Sequence, residues 1–206
     1  MSYNYTSKNE DPLICSELYH IYNKTVGEEH LFKTEKDYTF FLAKLKRFIQ
    51  PIADIYAYCL IPNHFHLFLK IKDQSKIPEL KIDNKETEFL TQTFTNFFIS
   101  YSKSFNKAHN RMGRLLLQPF KRKLVEDYDY FTYLLAYIHR NPIHHGLVSD
   151  FSDWKYSSYN SFLSIQENSV EIKRKEVLSY FYSLEEFIDF HEDNKVKPGQ
   201  ESFYLE

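Results

Sequence analysis

The stretch from residue 52 to residue 71 constrains the fold of this 206-residue chain more than any other part of the sequence. It contains two runs of apolar, β-branched and aromatic residues, Ile52–Leu60 and the run after Asn63. Only a short turn at Pro62-Asn63 separates them. Two such runs joined by a short turn are typical of adjacent antiparallel strands. The sequence therefore predicts a β-hairpin here.

His64 and His66 are the residues of this hairpin whose chemistry stands out. Because side chains alternate between the two faces of a strand, both imidazoles share one face and Phe65 lies on the other. Two imidazoles about 7 Å apart at their Cα atoms can converge on one divalent ion, with each nitrogen about 2.1 Å from it. A half-buried strand whose polar face carries two histidines would show the same pattern. The pair alone leaves metal binding and a structural role equally open.

The other periodic segments complete a β-α-β-β-α-β order. We predict strands over Leu18–Val26 and Phe120–Val125, where β-forming residues are bounded by turn signals. We predict helices over Thr34–Ile49 and Glu88–Asn106, where apolar residues recur at helical spacing. Together with the hairpin, this is the order of a ferredoxin-like α+β sandwich, an antiparallel sheet with two helices on one face.

A further helix is predicted over Asp127–Arg140, and it carries several tyrosines. We expect it to end at Asn141-Pro142, because the residue before a proline disfavours helical geometry. Tyr133 and Tyr137 lie four residues apart and therefore share one helix face. Tyrosine can act as a covalent nucleophile, and a phosphate is a suitable target. The chain has 17 tyrosines, so a structural role for any one of them is the simpler expectation.

Composition indicates a globular protein, with 43% hydrophobic and 18% aromatic residues. The sequence has no apolar run of about 18 residues and no apolar signal core near its start. Cys15 and Cys59 do not form a Cys-x-x-Cys motif or a disulfide framework. We expect a soluble, cytoplasmic protein with one domain over residues 1–159 and an acidic extension of unknown role over residues 160–206.

Positive charge is concentrated in one segment, although the net charge of the chain is −2. Residues 89–125 contain no Asp or Glu. The cationic residues of this segment are Lys103, Lys107, Arg111, Arg114, Lys121, Arg122 and Lys123. Such a segment favours a nucleic-acid backbone as the partner. A solvated helix face is the alternative, and the complete absence of acids weakens it.

Four blocks of the sequence carry a family resemblance. They are Ala57-Tyr-Cys-Leu-Ile-Pro-Asn-His-Phe-His-Leu-Phe, Ser100-Tyr-Ser-Lys-Ser-Phe-Asn, Gln118-Pro-Phe-Lys-Arg-Lys-Leu-Val-Glu-Asp and Tyr137-Ile-His-Arg-Asn-Pro-Ile-His-His-Gly-Leu-Val. In this order they resemble the REP-associated tyrosine transposases, which belong with the single-tyrosine insertion-sequence transposases in the HUH endonuclease superfamily. The resemblance runs from about Leu18 to Tyr159.

The resemblance implies a role for each matching residue. His64 and His66 match the metal-binding pair of the family, for which Mg²⁺ or Mn²⁺ is the expected ion, and Tyr137 matches its nucleophile. Asn141 stands where such enzymes place a third, amide-type metal ligand. Its position before Pro142 leaves a second role open, that of capping the helix end.

The activity implied by the resemblance is metal-dependent cleavage and strand transfer of hairpin-bearing single-stranded DNA, through a 5′-phosphotyrosine intermediate. A monomer or a homodimer would carry it out. The seven cationic residues would then bind the phosphates of the hairpin. The alternative is a domesticated descendant that binds hairpin DNA without turnover.

Four other histidines are less informative. His144 and His145 are adjacent, which favours a structural or DNA-proximal role over metal binding. His20 lies on the first predicted strand and could face the same site as His64 and His66, without binding the metal itself. His139 lies inside the predicted helix that carries Tyr137.

Overall fold

A four-stranded antiparallel sheet organises the chain, of which the computed structural model describes residues 10–80, 85–163 and 170–195. The strands are β1 (Leu18–Lys24), β2 (Ala53–Ile61), β3 (His64–Ile71) and β4 (Lys121–Leu124), and their order in the sheet is β2-β3-β1-β4. The connecting helices are α1 (Glu35–Phe48) and α2 (Glu86–Ala108). The predicted ferredoxin-like α+β arrangement is confirmed.

The two faces of the sheet are covered by different helices. On one face, Phe65, Leu67 and Leu69 of β3 belong to the core that α1 and α2 complete. On the other face, Phe68 packs with α3 (Tyr128–His144). The alternation predicted for β3 therefore places His64 and His66, which have the same parity as Phe68, on the side of α3.

The C-terminal end of α3 differs from the prediction. We expected the helix to end at Asn141-Pro142, but it continues to His144 with Pro142 inside it. Proline lacks an N–H donor, yet so close to the helix end this loss removes little of the hydrogen-bond ladder. The helix ends at His144, and Gly146, two residues later, closes the turn with a φ of +68° and an N–H donated to the carbonyl of Ile143 at 2.9 Å. Asn141 consequently lies one regular turn after Tyr137.

Part of the acidic extension packs against α3. Among the described residues, three short α-helices follow α3, namely α4 (Tyr159–Leu163), α5 (Arg174–Leu178) and α6 (Leu184–Asp193). Phe187 of α6 is buried in the core that contains α3. Residues 164–169 and 196–206 of the extension lie outside the described residues. The domain boundary at residue 159 and the role of the extension stay predictions.

A buried hydrogen-bond relay connects α6 to α3. His191 Nδ1 donates to the carbonyl of Phe187 at 2.7 Å, so its Nε2 must accept from His139 Nδ1 at 2.8 Å. His139 Nε2 then accepts from the Ser158 hydroxyl at 2.9 Å. Burial lowers the pKa of His191 to about 4 and that of His139 well below 6.5. Both imidazoles are therefore neutral near pH 7. No helix in the described part of the chain is long and apolar enough to cross a membrane.

Candidate active site

β3 and α3 bring four of the predicted site residues together. The exposed fractions of His64, His66, Tyr137 and Asn141 are 7%, 1%, 8% and 2%. The ring of Tyr137 meets the ring of His66 edge-on, with centroids 5.5 Å apart. Asn141 Oδ1 lies 3.3 Å from His64 Nε2. A strand and a helix from distant parts of the sequence thus form one enclosed polar cluster.

Each ring nitrogen of His64 has an oxygen acceptor beside it: Nδ1 lies 2.9 Å from Asn63 Oδ1, and Nε2 lies 3.3 Å from Asn141 Oδ1. A neutral imidazole can donate to only one of them, and the shorter contact favours a proton on Nδ1 and a lone pair on Nε2. Asn141 donates its Nδ2 to the carbonyl of Tyr137 at 3.0 Å, which turns its Oδ1 toward His64. Two acceptor atoms therefore face each other across 3.3 Å. A cation shared between them would relieve their repulsion.

His66 also has a ring nitrogen available for a ligand. Its Nδ1 lies 2.9 Å from His20 Nε2, and its Nε2 is buried without a hydrogen bond from any described residue. Burial lowers the pKa of His66 well below 6.5 and, with the charge of Lys123, lowers the pKa of His20 to about 3. Both rings are therefore neutral near pH 7, the state in which imidazole binds a metal. His20 faces the site, as the sequence suggested.

These donors suit a divalent metal ion. They are Nε2 of His64, Nε2 of His66 and Oδ1 of Asn141. Imidazole suits first-row transition ions and amide oxygen suits Mg²⁺ and Mn²⁺, so Mn²⁺ accommodates the whole set. The described part of the chain contains no cluster of three or more His, Cys, Asp or Glu residues arranged for a metal. The candidate set includes only two such residues, because its third member is an amide.

A cavity of about 370 Å³ opens onto the histidine pair. Lys24, Lys121 and His145 contribute to its lining, and the ring centroid of His145 lies 4.9 Å from that of His64. The two lysines favour an anionic ligand such as a phosphodiester in this cavity.

The predicted DNA-binding residues divide into two groups. Lys103, Lys107 and Arg114 are exposed, and Lys121 lines the histidine cavity while its Nζ lies 3.3 Å from Glu10 Oε1. Lys123 pairs with His20 across the β1–β4 register, and its Nζ lies 4.6 Å from the ring centroid of Tyr130. Lys121 and Lys123 border the site, whereas Lys103, Lys107 and Arg114 lie on the protein surface.

Arg111 and Arg122 form the second group, and both take part in internal contacts. Arg111 pairs with Glu29 and donates Nη2 to the carbonyl of Arg114 at 2.8 Å. Arg122 donates Nε to the carbonyl of Asp11 at 2.6 Å. The segment without acids is therefore partly neutralised by residues from elsewhere in the chain. Neither arginine is expected to contribute as much to DNA binding as the exposed cations.

Three residues of the site were missed by the sequence analysis. Asn63 orients His64, and its signal was its place directly before the histidine. Lys24 lies opposite His64 in the β1–β3 register, and no sequence spacing reveals this pairing. Tyr22 stacks on His66 at a centroid distance of 5.8 Å, from the strand that also carries His20.

Two known proteins are similar to this chain, one in sequence and one in fold. A Haemophilus influenzae protein provisionally named a REP-associated tyrosine transposase is 28% identical over 106 residues, which are 50% of this chain and 57% of that protein. The chain thus spans little more than half the length of this relative. A solved REP-associated tyrosine transposase bound to a REP hairpin superposes with a TM-score of 0.56 and 18% identity, over 82% of this chain and 96% of that one. This similarity shows the fold. No family model matches the sequence.

Proposed function

Because the resemblance of this chain to the REP-associated tyrosine transposases is confirmed in sequence and in fold, we propose that it cleaves and rejoins single-stranded DNA beside a hairpin. The observation that carries the proposal is the convergence of Tyr137 with the lone pairs of His64 and Asn141 in one enclosed cluster. A nucleophile adjacent to a set of metal ligands is what phosphodiester cleavage requires.

The proposed chemistry is a transesterification at Tyr137. Its phenolic oxygen attacks the scissile phosphorus and forms a 5′-phosphotyrosine bond, while the bond from phosphorus to the 3′-oxygen breaks. The phenol gives up its proton and the 3′-oxygen gains one, so the step consumes neither water nor ATP. Attack by another 3′-hydroxyl reverses the step and joins two strands.

His64, His66 and Asn141 would hold a divalent ion, for which Mn²⁺ or Mg²⁺ fits the donors. Such an ion supplies polarisation of the phosphate and neutralises developing charge. The protein holds the nucleophile and the proposed metal ligands in fixed positions relative to one another. Helix spacing keeps Tyr137 and Asn141 on one face of α3, and β3 holds both imidazoles on a stiff element.

Lys24 and Lys121 line the cavity and would counter the charge of the DNA backbone next to the reacting phosphate. Neither long side chain needs to contact the metal for this role. Hairpin DNA is accordingly the proposed partner, whereas the oligomeric state, monomer or homodimer, stays a prediction.

Binding of hairpin DNA without turnover is the second candidate. The enclosure of Tyr137, of which only 8% is exposed, favours it, because a nucleophile must reach the scissile phosphate. The two candidates differ in one observable. Both predict a complex with hairpin DNA, but only the enzyme forms a covalent bond to it.

The test is incubation with a panel of hairpin single-stranded DNAs with unpaired flanks, in Mn²⁺, Mg²⁺ or a chelator, followed by a denaturing gel. We expect an adduct with wild type and metal, none with the chelator and none with Tyr137→Phe. Tyr133→Phe is the matched control, four residues earlier on the same helix, and should retain the adduct. Hairpin binding without any adduct would favour the second candidate.

A further inference from the structure

Arg140 is a buried cation on the helix that carries Tyr137, and the proposed chemistry does not use it. Only 4% of its surface is exposed. Side chains on a helix tilt toward its N-terminus, so Arg140 extends back along α3 past Tyr137 toward Tyr133. Its guanidinium carbon lies 5.5 Å from the ring centroid of each tyrosine. At this distance a cation is attracted to the face of an aromatic ring.

The ring of Tyr137 therefore has contacts from two elements of the fold. His66 and His20, on the sheet, meet it edge-on at centroid distances of 5.5 and 6.3 Å. Arg140 adds a contact from α3 itself. Attack on phosphorus requires the phenolic oxygen to lie in line with the leaving 3′-oxygen, so the direction of this ring affects the rate.

The guanidinium of Arg140 is bonded to the acidic extension. Its Nη1 donates to the carbonyl of Asn194 at 3.0 Å. Asn194 is the C-cap of α6, and the last carbonyls of a helix carry a partial negative charge that suits a cation. The Asn194 side chain donates to the carbonyl of Phe190 at 2.8 Å and closes the last turn of α6. The end of α6 thus offers Arg140 a fixed acceptor.

A second bond of the guanidinium contributes less to its position. Nη2 of Arg140 donates to the Tyr133 hydroxyl at 3.1 Å. Tyr133 is 40% exposed, so water can replace its hydroxyl as the acceptor. Loss of the bond to Asn194, by contrast, removes an acceptor from a buried charge, which is costly. The side chain should then turn toward solvent and leave the ring of Tyr137.

We propose that Arg140 is a positioning residue for Tyr137 and that the C-terminal turn of α6 fixes it against the ring. This inference rests on the proposed function, in which Tyr137 is the nucleophile. It gives the described part of the acidic extension a role in the active site. Through Arg140, α6 sets the direction of the nucleophile.

Arg140→Gln and Arg174→Gln form a matched pair for a test. Arg174 lies on α5 and donates Nε and Nη2 to the carbonyl of Phe162 at 3.2 and 2.9 Å. Each substitution removes one positive charge and a bond to a backbone carbonyl of the extension, but it is Arg140 that lies over the ring of Tyr137. A general effect of charge or of anchoring would appear in both variants.

The measurement is the single-turnover rate of adduct formation in Mn²⁺, over a range of concentrations of a hairpin DNA that wild type cleaves. Arg140→Gln should lower the maximal rate about tenfold or more, because a misplacement of about 1 Å can cost roughly 100-fold. The DNA concentration at half the maximal rate and the affinity for Mn²⁺ should not change. Arg174→Gln should react at the wild-type rate.

Two further variants test the charge and the link to α6. Arg140→Lys keeps the charge and serves where Arg140→Gln does not fold. Its ammonium is strongly hydrated and does not stack on a ring as a guanidinium does, so we expect a rate between those of Arg140→Gln and wild type. Asn194→Gly removes the side-chain bond that closes α6. It should lower the rate several-fold in wild type and have no effect in Arg140→Gln, because its effect passes through Arg140.

Hydroxyl-radical footprinting reports the exposure of Tyr137 without any reaction on DNA. Only 8% of Tyr137 is exposed, so oxidation of its ring, measured by mass spectrometry, should be weak in wild type. Oxidation should rise several-fold in Arg140→Gln and stay at the wild-type level in Arg174→Gln. A thermal melt checks that each variant is folded.

The two readouts separate this inference from the proposed function. A wild-type rate in Arg140→Gln, equal losses in Arg140→Gln and Arg174→Gln, or a change confined to the affinity for DNA or Mn²⁺ would overturn the inference and leave the function intact. Increased oxidation of Tyr137 in Arg140→Gln, with no adduct from wild type on any hairpin, would contradict the function and support Arg140 as the residue that holds the ring. Neither an adduct nor a change in oxidation would overturn both.

Discussion

His64 Nε2 and Asn141 Oδ1 lie 3.3 Å apart, although the two residues are 77 positions apart in the sequence. Hydrogen bonds from His64 to Asn63 and from Asn141 to the carbonyl of Tyr137 leave both atoms as acceptors. Two buried acceptors in contact are unfavourable unless a proton or a cation lies between them. A metal ion at the proposed site would satisfy both acceptors.

Replacement of Asn141 should weaken metal binding. Asn141→Ala removes the oxygen donor and should lower the affinity for Mn²⁺ at least about tenfold, or ~1.4 kcal/mol, in a calorimetric titration. Asn141→Asp keeps an oxygen and adds a charge, so it should bind Mn²⁺ at least as tightly as wild type. Asn160→Ala, an amide removed from α4, is the control. Unchanged Mn²⁺ affinity in Asn141→Ala would assign Asn141 to helix structure alone.

The residues that hydrogen-bond to the imidazoles of His64 and His66 should affect the metal affinity almost as much as the proposed ligands do. Asn63→Ala removes the acceptor for His64 Nδ1–H, and His20→Phe removes the partner of His66 Nδ1. Loss of such supporting bonds typically lowers metal affinity about 10–100-fold. Nitrogen chemical shifts of the metal-free protein should show His64 protonated at Nδ1, and a mixture of tautomers in Asn63→Ala. A wild-type His64 protonated at Nε2 would contradict this account.

Stability should fall in acid because of the buried relay between α3 and α6. The pKa of His191 is lowered from 6.5 in the unfolded chain to about 4 by burial, so between these values the unfolded state binds more protons. Above about pH 6.5, His191 therefore does not make the free energy of unfolding depend on pH. As the pH falls from 6.5 toward 4, His191 lowers the free energy of unfolding. His139 acts in the same direction.

His191→Gln should make the decrease shallower, by at most about 1.4 kcal/mol per pH unit. The measurement is urea unfolding at a series of pH values. His30→Gln, at an exposed position, controls for the removal of a histidine. Identical pH slopes for wild type and His191→Gln would show that the relay does not form in solution.

The described part of the acidic extension should unfold together with the sheet. Phe187 is fully buried against the aromatic rings of Tyr159 and Phe162. Phe187→Ala should cost about 3–5 kcal/mol of unfolding free energy in a single transition, while Tyr182→Ala, at a fully exposed position, should be nearly neutral. A separate low-stability transition, affected only by Phe187→Ala, would indicate that the extension is an independent unit.

Local patterns predicted the elements of the site well. Alternation along β3 placed both histidines on one face, and helical spacing placed Tyr137 and Asn141 one turn apart. The end of α3 was predicted wrongly, because the rule for residues before proline is a tendency that packing of the helix against the sheet overrides at Pro142. The error also removes the reason to consider Asn141 a helix cap.

Long-range pairing could not be predicted from the sequence. Arg111 is neutralised by Glu29, which is 82 residues away, and Arg122 bonds to the carbonyl of Asp11. The positive charge inferred from residues 89–125 alone was therefore an overestimate. Lys24 reaches the site only through the strand register, which depends on the whole sheet.

The most direct test of the central claim is identification of the residue bonded to DNA. Wild-type protein is incubated with Mn²⁺ and a hairpin DNA that it cleaves. The mixture is then digested with protease and nuclease, and the modified peptide is sequenced by mass spectrometry. We expect a 5′-linked nucleotide on Tyr137 itself, within the peptide that contains it, and no modification in the presence of a chelator. A nucleotide on Tyr133, or on any other residue, would contradict the central claim.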